Sequence, residues 1–284
     1  MLAPPRRART HEILCVARRR RQRRETLQSR FVDLEGPVHF IDFGARGPNG
    51  MGAPMVLIHG LGGSHLNWLE AGPGLAARRR VLALDLAGFG RTPLAGRSAR
   101  VRSNQRLLGR FIDEVVGEPA ILVGNSMGGM IALLEAADHP RRVAALVLVD
   151  PAMPRSRGVR FDLDAALVLA AELRSGGGER AAFSWPDAAF LQAIRSLVTT
   201  LMWPRRYLAL IRGVDVPTLV VHGAADRLVP LAAIQAVTRT RPEWTLRVLD
   251  GVGHVPQLEA PRRFVEVVTS WLDSRDGHPS RQAG

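Results

Sequence analysis

Five short runs of unbroken apolar character constrain this chain more than any other feature: 54–58 (PMVLI), 81–84 (VLAL), 120–123 (AILV), 144–149 (AALVLV) and 218–221 (TLVV). A sixth, 244–249 (WTLRVL), closes the series. A strand with one wet face alternates apolar and polar residues, whereas an unbroken apolar run is buried on both faces. Such runs build a parallel sheet covered by helices on both sides. Residues 38–43 (VHFIDF) alternate weakly and read as an edge strand, closed by the Gly/Pro-rich stretch 44–50. Helical periods separate the runs, with Leu107, Leu108, Phe111, Ile112 and Val115 sharing a face within 104–116. Residues 127–137 and 261–272 read as helices in the same way. Strand and helix in alternation predict a doubly wound α/β fold.

The rhythm fails over 152–212, which has helical patterns at 163–173 and 187–203 around a glycine-rich joint, 175–179 (SGGGE), and no strand run. This stretch is expected to be a helical cap inserted into a core made of residues 31–151 and 213–276. Residues 277–284 read as a short tail.

The net charge of +13 belongs largely to the first thirty residues, where ten arginines stand against Glu12 and Glu25. That segment carries +8, leaving +5 for the other 254 residues, and the chain has no lysine at all. Residues 1–30 therefore read as a basic, disordered leader able to touch anionic surfaces, and the body is not expected to bind nucleic acid specifically. The leader lacks the 7–15-residue apolar stretch of a secretory signal. No apolar run reaches membrane-spanning length, so a cytoplasmic location is expected. The single cysteine, Cys15, excludes a disulfide framework and a cysteine metal site. No cofactor or metal is expected.

The chemistry concentrates at GNSMG, 124–128, directly after an apolar run and before a helix. This is the G-x-S-x-G pattern in its required setting. A serine on a tight strand-to-helix turn needs small neighbours two residues away on each side, so that strand and helix can approach. The N–H groups of the helix start then favour developing negative charge. A phosphate loop fits worse, because its lysine is missing. Ser126 is a weak nucleophile alone and needs a base oriented by an acid. Downstream and in the expected order, Asp226 follows the run 218–221, and His254 sits in a Gly-rich loop after the last run. Both fall at the carboxyl ends of strands, where open parallel sheets build their sites. Asp150, also at a strand end, is the rival acid. The two oxyanion donors are expected to be the N–H groups of Met127, next to the nucleophile, and of Leu61, in the glycine-rich loop 59–64 (HGLGGS). His59 reads as a brace for that loop.

Together, His59-Gly-Leu-Gly62, Asp85-Leu-Ala-Gly-Phe-Gly90, Gly124-Asn-Ser-Met-Gly128, Asp226 and Gly253-His254 resemble the α/β-hydrolase superfamily over roughly residues 38–274. The resemblance implies an eight-stranded, mostly parallel sheet, a helical cap, and acyl-enzyme chemistry without a cofactor. Asp85 looks like the family's structural turn. A serine at position 126 argues against the aspartate-nucleophile branches. Gly-Asn-Ser-Met-Gly-Gly is similar to the elbow of meta-cleavage-product C–C hydrolases, but those usually follow the catalytic histidine with Trp, where this chain has Val255. The expected function is hydrolysis of small or medium carboxylic esters, with Phe190, Leu191, Ile194 and Leu197 of the cap lining an apolar acyl pocket. C–C hydrolysis of a diketo acid is the enzymatic alternative. A ligand-binding protein without turnover is the other.

Overall fold

A computed structural model describes residues 28–44, 52–154 and 188–276. Eight strands form one sheet in the order β1-β2-β4-β3-β5-β6-β7-β8. They are β1 (Gln28–Asp33), β2 (Pro37–Gly44), β3 (Met55–Ile58), β4 (Val81–Leu84), β5 (Ala120–Asn125), β6 (Val143–Val149), β7 (Thr218–Gly223) and β8 (Thr245–Leu249). From β4 through β8 every neighbouring pair is parallel, while β1–β2 and β2–β4 are antiparallel.

The unbroken apolar runs do what their pattern demands. Alternate residues of each strand enter two separate apolar layers: Val56, Ile58, Leu122, Leu146 and Leu148 join one, and Met55, Leu57, Val123, Val147 and Val149 join the other. The first layer is completed by helices α2 (Val101–Phe111), continued by a wider turn at Ile112–Val116, and α3 (Met127–Asp138). The second is completed by the short α1 (Gly72–Leu75) and, through Phe264, Val268, Trp271 and Leu272, by α8 (Pro261–Asp276). Helix α3 is preceded by Ser126 and ends before His139, ahead of Pro140. The residue before a proline is driven out of helical geometry, which sets that end.

Two expectations need correction. Residues 38–43 are not an edge strand: β2 is flanked by β1 and β4 and is buried over most of its length. The edge is β1, whose Gln28–Arg30 had been read as the end of a disordered leader. Its side chains are mostly exposed, so it carries no apolar signature, and it is held by a full antiparallel register with β2. Phe31, half exposed, is covered on one side by the Arg91 guanidinium, 5.0 Å from the ring centroid.

Of the cap, residues 155–187 lie outside the described residues, and the helix read at 163–173 falls there. What is described begins with α4 (Ala188–Leu201) and α5 (Pro204–Arg212). Helix α4 buries Ala189, Phe190, Ala193, Ile194 and Leu197, one helical face, into the layer that contains Met127 and Met153. Leu191 is 48% exposed and lies outside that buried face. Helices α4 and α5 are joined to the sheet-bearing part by polar contacts. Ser98 Oγ donates to Gln192 Oε1 (3.0 Å), the Val101 N–H donates to Ser196 Oγ (3.1 Å), and the buried Tyr207 hydroxyl donates to the Ala152 carbonyl (3.0 Å). Helices α6 (Leu231–Thr238) and α7 (Pro256–Glu259) complete the chain.

Candidate active site

The candidate catalytic residues and the rival acid all stand at the carboxyl edge of this sheet. Strands β3, β5, β6, β7 and β8 are consecutive neighbours running the same way. Their carboxyl ends therefore form one row, with Leu61 beyond β3, Ser126 beyond β5, Asp150 beyond β6, Asp226 beyond β7 and His254 beyond β8.

Ser126 has φ +53° and ψ −114°. A non-glycine residue at positive φ is strained, and such strain persists only where the surroundings enforce it. The N–H of Ser126 donates to the Val149 carbonyl (2.9 Å), and its carbonyl accepts from the N–H groups of Met130 and Ala152 (3.1 Å each). The flanking glycines supply the room. A Cβ on Gly124 would lie 2.6 Å from the carbonyl carbon of Gly128 and 2.6 Å from the Gly129 nitrogen, and one on Gly128 would lie 2.5 Å from the His59 carbonyl oxygen. The steric reading of GNSMG is thus correct. Met127 opens α3, so its N–H belongs to the first turn, where intrahelical acceptors are lacking. The loop carrying Leu61 comes right against the elbow, since a Cβ on Gly60 would be 3.3 Å from that of Ser126.

Asp226 and His254 are brought together: His254 Nδ1 is 2.8 Å from Asp226 Oδ2, with the aspartate side chain fully buried and the imidazole 8% exposed. The other carboxylate oxygen, Oδ1, accepts from the N–H groups of Leu228 (2.7 Å) and Val229 (3.1 Å). Burial pushes the Asp226 carboxyl upward, but its bonds to His254, Asp150 and Val229 outweigh that and hold it below the usual carboxylate range. The rival acid, Asp150, does not meet His254. It sits behind Asp226, fully buried, and Oδ1 accepts the Gly223 N–H at 3.0 Å.

His59 braces its loop as expected: Nδ1 donates to the Gly60 carbonyl (2.8 Å) and Nε2 accepts the Leu86 N–H (3.1 Å). Burial lowers its pKa, so the ring is neutral and bridges β3 to the turn after β4. Asp85, read as a structural turn, accepts the N–H groups of His65 (2.6 Å) and Arg91 (2.9 Å) and bonds the His39 and His65 rings (2.7 and 2.9 Å). These bonds overcome the effect of burial and hold its carboxyl far below its ordinary value.

Two side chains make contacts that the sequence reading did not assign. Asn125 donates through Nδ2 to the Val149 carbonyl (3.2 Å) and to the His254 carbonyl (3.0 Å), tying the elbow to the histidine loop. Glu259 accepts the N–H groups of Gly253 (2.7 Å) and Val255 (3.1 Å), clamping that loop on both sides of His254. The sequence trace of this clamp is a Glu five residues beyond a loop histidine. Among the described residues, two groupings hold donor atoms within 4.8 Å of one another, His39 with His65 and Asp85, and Asp150 with His222 and Asp226. Both are already engaged, the first through Asp85 and the second through Asp226. No helix among the described residues is long and apolar enough to cross a membrane.

Comparison with known proteins follows the same lines. A sequence model described as "Alpha/beta hydrolase family" matches residues 55–267. A 2-hydroxymuconate semialdehyde hydrolase of Pseudomonas sp. (strain CF600) is 32% identical over 261 residues, covering 80% of this chain and 89% of that one. A pimeloyl-[acyl-carrier protein] methyl ester esterase of Aeromonas hydrophila is 29% identical, with 78% and 96% covered. Among solved structures, a serine hydrolase involved in carbazole degradation superposes with a TM-score of 0.66 at 28% identity, over 88% of this chain and all of that one.

Proposed function

The chain belongs to the alpha/beta hydrolase family, and on that premise we propose that it is a serine hydrolase of carboxylic esters, working through an acyl-enzyme on Ser126. The observation that carries this reading is the 2.8 Å bond between Asp226 and His254 at the sheet edge where the strained Ser126 turn is presented. His254 Nδ1 donates to Asp226, which leaves Nε2 as the unprotonated nitrogen able to take a proton.

In the first step His254 Nε2 takes the Ser126 proton as Oγ attacks the ester carbonyl. Asp226 keeps the imidazole in this tautomer and stabilises the imidazolium that forms. The N–H groups of Met127 and Leu61 receive the oxyanion, and the proton passes to the departing alcohol. Water, deprotonated by His254, then attacks the acyl-enzyme and releases the acid. The buried face of α4, with Phe190 and Ile194, supports an apolar acyl group.

A second reading is C–C hydrolysis of a diketo acid. It is favoured by the 32% identity to the 2-hydroxymuconate semialdehyde hydrolase and by Asn125 at the elbow. Its chemistry needs the same activated serine, so substrates must separate the two. Turnover of p-nitrophenyl acyl esters by the wild type, with Ser126→Ala down on the order of 10⁶-fold in kcat, is the expected result. Full activity in Ser126→Ala removes the serine mechanism, and turnover of vinylogous diketo acids with inert esters selects the C–C reading.

A further inference from the structure

We infer that Asp150 is a positioning residue of this site: a neutral carboxylic acid that donates its proton in a hydrogen bond to the Asp226 carboxylate and so fixes the oxygen that Asp226 shows to His254. The inference rests on the proposed roles of Ser126, Asp226 and His254 and gives the rival acid a role beside them.

The placement is deliberate. Asp150 ends β6 and its N–H donates to the Val221 carbonyl (3.0 Å), so it is tied to β7, the strand that carries Asp226. Its φ is +41°, a left-handed conformation that costs energy for a residue with a Cβ. Its side chain is fully buried, and its carboxylate lies with an oxygen within 4.8 Å of an oxygen of the Asp226 carboxylate. Two carboxyl groups packed together away from water cannot both be ionised, so one of them keeps a proton.

The surroundings decide which. Asp226 accepts two backbone N–H groups and faces the His254 ring, three partners that favour its charged form. Asp150 accepts one, from Gly223, and its Oδ2 meets no hydrogen-bond donor among the described residues. An oxygen left this way is badly placed as half of a carboxylate and well placed as a hydroxyl. The remaining neighbour, His222, is buried with Nδ1 2.8 Å from Asp150 Oδ1 but outside hydrogen-bond alignment. Burial depresses the His222 pKa, so it brings no positive charge to hold Asp150 ionised. Burial and the Asp226 charge, against the smaller pull of His254, push the Asp150 carboxyl well above the usual range. The O–H is then aimed at Asp226, the one neighbour whose negative charge it neutralises.

The test compares Asp150→Asn, Asp150→Ala, Asp226→Asn and Ser126→Ala with wild type, using p-nitrophenyl ester turnover and the pH dependence of Tm between pH 4 and 9. An amide N–H can donate where the acid O–H did. Asp150→Ala is therefore expected to lose about 10- to 100-fold in kcat, with Asp150→Asn restoring most of the loss and Asp226→Asn falling about 10⁴-fold. A raised carboxyl pKa means that the folded state holds more protons than the unfolded one above pH ~4, so stability falls as pH rises. Wild-type Tm should accordingly decline with pH relative to Asp150→Asn. An Asp150→Asn variant as inactive as Asp226→Asn, an Asp150→Ala variant as active as wild type, or a wild-type Tm that climbs with pH relative to Asp150→Asn each overturns the inference. Retained activity in Ser126→Ala would strike the serine mechanism instead, and the Tm slopes still read the proton on Asp150 should any variant lose activity through misfolding.

Discussion

Replacing Asn125 with alanine isolates the link between the elbow and the histidine loop. The side chain donates to two carbonyls, and they are not equivalent. Val149 O keeps a second donor, the Ser126 N–H at 2.9 Å, so losing the 3.2 Å bond from Asn125 leaves it satisfied. Breaking a redundant neutral bond costs ~0.5–1 kcal/mol. The His254 carbonyl loses the 3.0 Å bond that crosses from the elbow, and a buried acceptor deprived of its donor costs ~1–3 kcal/mol. The sum is ~1.5–4 kcal/mol, a large part of the ~5–15 kcal/mol that holds a domain folded. Urea unfolding should show the midpoint falling with an unchanged m-value, since the surface exposed on unfolding is the same. The activity loss should exceed what unfolding explains, because His254 is released from the strand that presents Ser126. Asn125→Asp should be worse than Asn125→Ala at pH 7, because it aims a charged acceptor at two carbonyls, and the gap should close at low pH as the new carboxyl protonates. A loss under ~0.5 kcal/mol, or an aspartate variant as stable as the alanine variant at pH 7, refutes the assignment of these bonds.

Two further outcomes follow from the same geometry. Gly128→Ala drives a Cβ against the His59 carbonyl, so it should cost ~1–3 kcal/mol in urea unfolding and lower kcat more than it raises KM, because the displaced loop carries Leu61. Asp85 has its pKa depressed in the fold, so its contribution is present above the ordinary carboxylate value near 4 and is lost as pH falls below it. Wild-type stability should therefore decline on acidification below pH ~4, while Asp85→Asn, weaker by ~2–4 kcal/mol at neutral pH, should show a shallower decline in the same Tm series.

The parallel sheet was legible because burial on both faces leaves a one-dimensional trace. Val56 and Leu57 must both be apolar when they enter opposite layers, and no tertiary knowledge is needed to see it. Strand β1 left no such trace. With its side chains in solvent, Gln28–Asp33 is specified by backbone pairing to β2, and pairing is invisible in a composition dominated by the preceding arginines. A helix period likewise identifies a stripe but not its edges, and Leu191 sits just off the buried stripe that Phe190, Ile194 and Leu197 define.

The site divides along the same boundary. Ser126, Asp226 and His254 were legible because each follows a strand and stands among turn glycines, and a parallel sheet brings strand ends into one row. The groups that adjust them were not, because their partners are set by spatial neighbours far away in sequence. Asn125 reaches His254 across 129 residues, and Asp150 reaches Gly223 across 73. Asp150 shows how far the two kinds of information diverge. As a strand-end acid it looked like a competitor of Asp226. Buried against each other they must share a proton, and that turns the competitor into a hydrogen-bond donor. Its chemistry is set by the carboxyl beside it, which no local pattern encodes.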